Sequence, residues 1–300
     1  MSWIIFAISA HLLWALNNIF DRYVMEKRMK NPIVYTVLGL VVASLAVLVA
    51  SPLIGWTTLS PFVLFLMFAS GIAYFLGTYF YIKSMQTEEA SRVSILLNII
   101  PLFNFILAWG FLHEVLSGRQ FSALLILLAG GILGSIHIKQ EGRWHFSKAF
   151  WLMILSALCY SVVDVSLRYA GQSYPSGSLL LYLNLGLLLA PLFLFLKPSF
   201  STAFRADIKR LNWKLWVGLI LTGVGSRVGL LLSIKALSLA PVALATSLDG
   251  FQVLFVFVMA LLITKFAPRL MKEETDKKNL FLKLTALALM IGGLVVLSLK

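Results

Sequence analysis

GIAYFLGTYFYIKSMQTEEASRVSILLNIIPLFNFILAWGFLHE, residues 71–114, reads as an apolar helix, a short polar break and a second apolar helix. Something very like it returns 152 residues later, from Gly223 to Phe266. Without a gap, Ile82-Lys83-Ser84-Met85 falls on Ile234-Lys235-Ala236-Leu237, Gly71 on Gly223, Leu102 on Leu254 and Phe105 on Phe257. Two copies of one helical pair imply a chain made of two halves. The glycines and aromatics scattered through these runs suit close helix packing in lipid.

Composition places the whole chain in a membrane. Of its 300 residues 60% are hydrophobic and only 12% charged, with a mean hydropathy of +0.93, against roughly 25% charged residues in a soluble domain. The net charge of +13 does not indicate nucleic acid, because the basic residues lie between the apolar runs instead of forming one stripe. Cys159, the one cysteine, sits inside an apolar run and reads as a buried thiol. Met1-Ser2-Trp3 lacks the basic start of a cleavable signal, so the first apolar segment is expected to remain in the mature protein.

A span of the hydrocarbon needs about 20 apolar residues. Ten runs qualify, at roughly 3–24, 32–50, 61–82, 92–112, 119–138, 149–169, 178–196, 213–236, 242–264 and 280–299. They must be helices, since lipid cannot satisfy an open backbone and no alternating barrel pattern is present. The repeat reaches the outer spans. At an offset of 146 residues Trp14 meets Tyr160, Asn18 meets Asp164 and Arg22-Tyr23 meets Arg168-Tyr169; at 162, Gly130-Gly131 meets Gly292-Gly293. The polar stretch from Lys139 to Lys148 divides the halves, 1–140 and 141–300. Five spans per half force the second half to be upside down. The expected fold is therefore an all-α integral membrane protein of ten transmembrane helices in two inverted-topology five-helix repeats. The loops after odd-numbered spans, with adjoining helix ends, hold twenty Lys and Arg residues, the opposite side four. The positive-inside rule then puts both termini away from the cytoplasm.

This order of features resembles the drug/metabolite transporter superfamily and, within it, the ten-helix EamA family. The resemblance rests on Leu13-Trp14-Ala15 and Asn18, the aromatic span ending Tyr79-Phe80-Tyr81-Ile82-Lys83, Pro101-Leu102, Glu114, and Ala129-Gly130-Gly131. It implies the ten-helix fold and export of a small metabolite such as an amino acid or related organic solute. The chain departs from the family in having His113-Glu114 where Gly-Glu is usual, with Lys265-Phe266 as the second-half counterpart. The family also tends to keep its termini in the cytoplasm, against the charge count.

Ionisable groups inside spans cost about 2.5 to 3.5 kcal/mol each on insertion scales, so Asp164, Arg227 and Asp249 stand out. All three can occupy one half of the membrane. They fit a central cavity where Arg227 holds an anionic group and a carboxylate exchanges a proton; they also fit a buried Arg227–Asp249 ion pair that only fixes packing. Asn18 and Asn98 are the neutral first-half counterparts of the two aspartates, and with Asn17 and Asn104 they either line the cavity or bond neighbouring helices. Pro101 is expected to kink its span beside Asn98. Trp14, Tyr74, Tyr79, Tyr160 and Tyr182 lie inside spans and suit an amphipathic solute. The substrate-binding set is thus Trp14, Asn18, Tyr74, Tyr79, Asn98, Tyr160, Asp164, Arg227 and Asp249. Small residues at spacing four, Ala73 with Gly77, Gly130 with Gly134, Gly225 with Gly229 and Ala288 with Gly292, mark close helix approach.

Walker A and metal-ligand patterns are missing, and Gly223-Val224-Gly225-Ser226, superficially like an intramembrane serine nucleophile, has none of His11, His113, His137 and His145 placed beside it, so no enzyme, cofactor or resident metal is expected. The expected function is secondary transport by alternating access in a cytoplasmic membrane or its eukaryotic equivalent. Its partners are a small-molecule solute, the lipid bilayer and a coupling proton, with no nucleic acid; a homodimer is left open. The rival readings are a non-transporting membrane scaffold or partner subunit and a lipid-linked carrier flippase.

Overall fold

The computed structural model describes residues 2–27, 29, 31–84, 99–135, 148–266 and 277–298. Within them the chain is all-helical, 88% helix with no strand. The helices are α1 (Ser2–Lys27), α2 (Pro32–Ile54), α3 (Pro61–Ser84), α4 (Ile100–Leu112), α5 (Gly118–Ser135), α6 (Lys148–Gly171), α7 (Ser176–Leu189), α8 (Leu192–Phe195), α9 (Pro198–Ile208), α10 (Trp213–Leu239), α11 (Val242–Thr246), α12 (Gly250–Phe266) and α13 (Lys277–Ser298). Seven segments are long and apolar enough to cross a membrane, and three shorter apolar helices accompany them: Ile100–Leu112, Gly118–Gly130 and Leu284–Val296. Large apolar side chains such as Phe65, Trp109, Trp151 and Leu221 are exposed on the outside, as a lipid-facing surface requires. This is a multi-pass membrane protein.

Local chemistry explains where helices begin and end. Pro32, Pro101 and Pro198 each stand in a first turn, where a missing N–H costs nothing, and Asn212 caps α10 by accepting from the Leu215 amide at 3.0 Å. Pro101 is therefore no interior kink of the described helix; its expected neighbour Asn98 lies outside the described residues. His113 ends α4 in the left-handed region, φ +54°, with the Glu114 amide donating back to the Ala108 carbonyl at 3.2 Å. That conformation is one glycine adopts freely, which accounts physically for the Gly-Glu pattern from which this chain departs. The ninth apolar run is not one helix: α11 gives way to a 3₁₀ turn, Ser247–Asp249, before α12.

The two halves interleave. α3 packs along α6 and α7, α1 along α10 and α12, α2 against α7 and α10, α4 against α6 and α11, and α5 along α13. Several small residues do what their spacing predicts. A Cβ on Gly77 would meet Cys159 and Ser156 at 3.2–3.4 Å, one on Gly130 would meet Met290 at 2.6 Å and one on Gly229 the Trp14 indole at 3.0 Å. At the α5–α13 seam it is Gly293 that packs, on Leu127, while Gly292 faces open space. The closest backbone approach is α3 on α7, where a Cβ on Gly71 would fall 2.4 Å from the Leu183 carbonyl oxygen and one on Gly186 would fall 2.6 Å from the Phe68 backbone.

Candidate functional site

Close approach of α1 to α10 at Gly229 brings the Trp14 indole to the α10 backbone, where Nε1 donates to the Ser226 carbonyl at 3.3 Å. The next residue, Arg227, is 3% exposed. Among the described residues, none of its three guanidinium nitrogens meets a partner in good hydrogen-bond geometry. The guanidinium lies over the Tyr74 ring, 5.4 Å from its centroid, and has the Tyr74 and Tyr160 phenols as polar neighbours, that of Tyr74 close enough for a weak hydrogen bond. Tyr74 and Tyr160 meet edge to face at 5.5 Å. The Thr78 hydroxyl donates to the Tyr74 carbonyl at 2.9 Å, so in its 3.0 Å contact with Tyr160 the tyrosine is the donor.

A guanidinium buried with so few partners is costly. Burying an ion costs several kcal/mol even after relaxation, and a desolvated cation–π contact returns about 2. An anion placed against the guanidinium would offset that cost.

The carboxylates are linked to it through Trp14, which touches His11, and through Tyr160, on the helix of Asp164. Asp249, in the break between α11 and α12, pairs with His11, Nε2 to Oδ1 at 3.0 Å. The other ring nitrogen faces Gln252 Oε1 at 3.3 Å, and the ring packs edge-on against Trp14 at 5.3 Å. Asp164, one turn beyond Tyr160 on α6, accepts from Asn104 Nδ2 at 3.0 Å. The same amide donates to Thr246 Oγ1 at 3.0 Å, and Asn104 Oδ1 is buried with no partner among the described residues. Asp164 also lies within electrostatic reach of Asp249 and His11. The site thus holds an unpaired cation, a His11–Asp249 pair and a carboxylate whose partner is a neutral amide.

This corrects the packing alternative. Arg227 and Asp249 do not pair, because His11 occupies the aspartate. Tyr79 is not gathered with the rest: five residues past Tyr74 it points about 140° away around the helix, where it packs on Phe80 and lies under Lys83 at 5.5 Å. Asn18 is half-buried one turn beyond Trp14, and Tyr182, like Tyr74, packs against the apolar core. His11, Asn104, Thr246 and Gln252 complete the site; His11 was legible as the residue one turn before Trp14 on the same face. Among the described residues, no group of three or more His, Cys, Asp or Glu could hold a metal ion.

A second polar constellation ties segments together at one end of the helices. Arg168 Nε meets Glu114 Oε1 at 2.6 Å while its Nη1 donates to the Leu237 and Ser238 carbonyls at 2.9 and 3.0 Å. Glu114 Oε2 in turn accepts the Val242 amide at 3.0 Å. Four segments are tied together: the α4–α5 loop, the end of α6, the end of α10 and the start of α11. At the opposite end the Tyr35 hydroxyl donates to Asp21.

Residues 1–136 match the EamA-like transporter family. The family lies within the drug/metabolite transporter superfamily, and its members are membrane transporters of small solutes. The EamA-like stretch carries His11, Trp14, Tyr74, Asn104 and Glu114, so the site joins it to residues of the second half. A protein of known crystal structure has the same fold over 99% of this chain and 96% of its own, with a TM-score of 0.72 at 14% identity. No curated protein matches the chain.

Proposed function

We propose that the chain is a secondary transporter of ten membrane spans in two inverted five-helix halves, 1–140 and 141–300. It exports an amino-acid-like or related organic solute across a cytoplasmic membrane by alternating access. Helix packing supports the inverted halves. Exchanging α1 with α6, α2 with α7, α3 with α10 and α4 with α12 turns the α3–α6 contact into α10–α1, α3–α7 into α10–α2 and α4–α6 into α12–α1. Substrate binding rests on the sparsely partnered guanidinium of Arg227, which takes the solute's carboxylate while the Tyr74 and Tyr160 rings hold its apolar part. Asp164 suits the coupling proton better than Asp249, since a neutral amide holds it where His11 holds the other. The Glu114–Arg168 clamp supports a state closed at that end.

Thermal stability of the purified full chain, read against a panel of amino acids and their carboxamides, tests this reading. A bound ligand raises apparent stability by mass action, about 2.7 kcal/mol at a hundred times its dissociation constant. Free carboxylates should stabilise and carboxamides should not, with the difference lost in Arg227→Gln. Equal stabilisation by both forms, or a shift that survives in Arg227→Gln, would sink it.

A further inference from the structure

Away from the central site, α9 stands apart from the spans. It joins the end of α8 to the start of α10 on the face that holds most of the chain's Lys and Arg, and its own sequence divides by side. Phe200 and Asp207 are buried; Thr202, Arg205 and Ala206 are exposed. Phe195, at the end of α8, packs edge-on against Phe200 at 5.0 Å and Phe204 at 5.1 Å, fastening α9 to the bundle. Between them opens a cavity of about 400 Å³, lined by Phe195, Ser201, Phe204, Arg205, Ile208 and Lys209.

Its lining is two-sided. Phe195, Phe204 and Ile208 form an apolar wall. Arg205 and Lys209, one helical turn apart, supply two cations that make no ion pair with any described residue; the one carboxylate of α9, Asp207, is turned inward and meets Arg210 at 3.7 Å. Leu192, Phe193 and Leu196, next to Phe195 in the chain, are exposed and apolar, as a lipid-facing surface is, and Trp213 with Lys214 over its ring has the make-up of an interfacial anchor. A ligand here needs an anionic head joined to an apolar tail, presented from the membrane.

We propose that this cavity is a binding site for an anionic phospholipid, its phosphate held by Arg205 and Lys209 and the start of an acyl chain laid on Phe195, Phe204 and Ile208. A soluble anion would leave the apolar wall empty, and a zwitterionic headgroup would set its own cation against the two basic residues. Two basic side chains near a membrane surface give on the order of a tenfold to thirtyfold preference for an anionic over a zwitterionic lipid.

The test is the unfolding midpoint of the full chain in neutral detergent, titrated with phosphatidylglycerol, with phosphatidylcholine of the same chains, and with glycerol 3-phosphate. Phosphatidylglycerol should raise the midpoint saturably at a concentration at least tenfold lower than phosphatidylcholine requires, and glycerol 3-phosphate should do nothing. Arg205→Gln with Lys209→Gln should erase the preference without moving the lipid-free midpoint. Ser201→Phe, which fills the cavity and leaves the charges, should weaken phosphatidylglycerol as well, whereas Lys214→Gln on the same face should keep the preference. Survival of the preference in the double variant or in Ser201→Phe overturns the site. So does its loss in Lys214→Gln, which would make it a property of diffuse surface charge. Equal action of glycerol 3-phosphate would make the site one for a free anion, and equal action of phosphatidylcholine would remove the charge recognition.

Discussion

His113 shows how a single backbone angle can be decided against the side chain that carries it. Its left-handed φ of +54° costs a residue with a Cβ about 1 to 2 kcal/mol, while glycine's extra chain entropy costs about 0.5 to 1. The first term is larger, so His113→Gly should raise folding stability by about 0.5 to 1 kcal/mol, read as a higher unfolding midpoint. A lower midpoint would mean that the imidazole makes contacts worth more than the strain. Arg227 gives the opposite kind of prediction, because its side chain is the costly part. Arg227→Met removes a sparsely partnered charge and should leave the protein at least as stable, by up to a few kcal/mol, while abolishing transport. Asp249→Asn should be destabilising on its own, since His11 loses its partner, and the two changes together should show no mutual rescue. Rescue in that double variant would restore the direct ion pair as the explanation. The sequence located both charged residues by their cost in lipid but could not give their partners. Pairing is set by which helix faces which, and His11 lies 238 positions from Asp249.

At the level of elements, the break after α11 and the clamp at its start belong together. Glu114 holds the Val242 amide and the Arg168 guanidinium at once, so α11 is pinned at the point where the helix is shortest. Glu114→Gln keeps an acceptor for the amide and removes the charge from a pair whose side chains are only 14–16% exposed. It should cost about 3 kcal/mol, the lower end for a broken buried pair. It should also increase labelling of a cysteine placed at Ser247, one turn below, by a membrane-impermeant maleimide in a Cys159→Ser background. Unchanged labelling would mean that the clamp does not close the path. Reversing the pair, Glu114→Arg with Arg168→Glu, could return the charge interaction only, because an arginine cannot accept from Val242. Glu114 was visible in the sequence as part of the family resemblance and Arg168 as the repeat partner of Arg22. Their contact was not visible, since it joins a loop of one half to helix ends of the other. The helical pattern itself was legible almost throughout. The exceptions among the described residues are the break between α7 and α8 inside the run 178–196, the helix α9 between two runs, and the turn at 247–249, which hydropathy reads straight through because Ser247 and Leu248 are as buried as a helix interior.

For the molecule as a whole, orientation is the property on which charge and family resemblance disagree. Twenty Lys and Arg residues on one face against four on the other should place the C-terminus outside the cytoplasm. A reporter fused after Lys300 that matures only outside should be active; a silent one hands the decision to the family habit. The crossing of α3 over α7 then bears on how the two halves can move. At Gly71 the α7 backbone enters a notch with no side chain of its own to fill it, and the notch has ends. Phe68 precedes it and Phe75 follows it by about one turn, Phe75 buried and Phe68 against Gly186. Sliding α7 along α3 would drive it towards the buried Phe75 on one side and the Phe68 backbone on the other, whereas rotation about the notch would displace neither. Under the proposed alternating access the crossing would then act as a fulcrum that resists travel and permits tilt, with displacement growing towards the two membrane surfaces. Gly186→Ala, with its methyl forced against the Phe68 backbone, should seize that bearing, slowing exchange between the two states even where enough folded protein survives to bind.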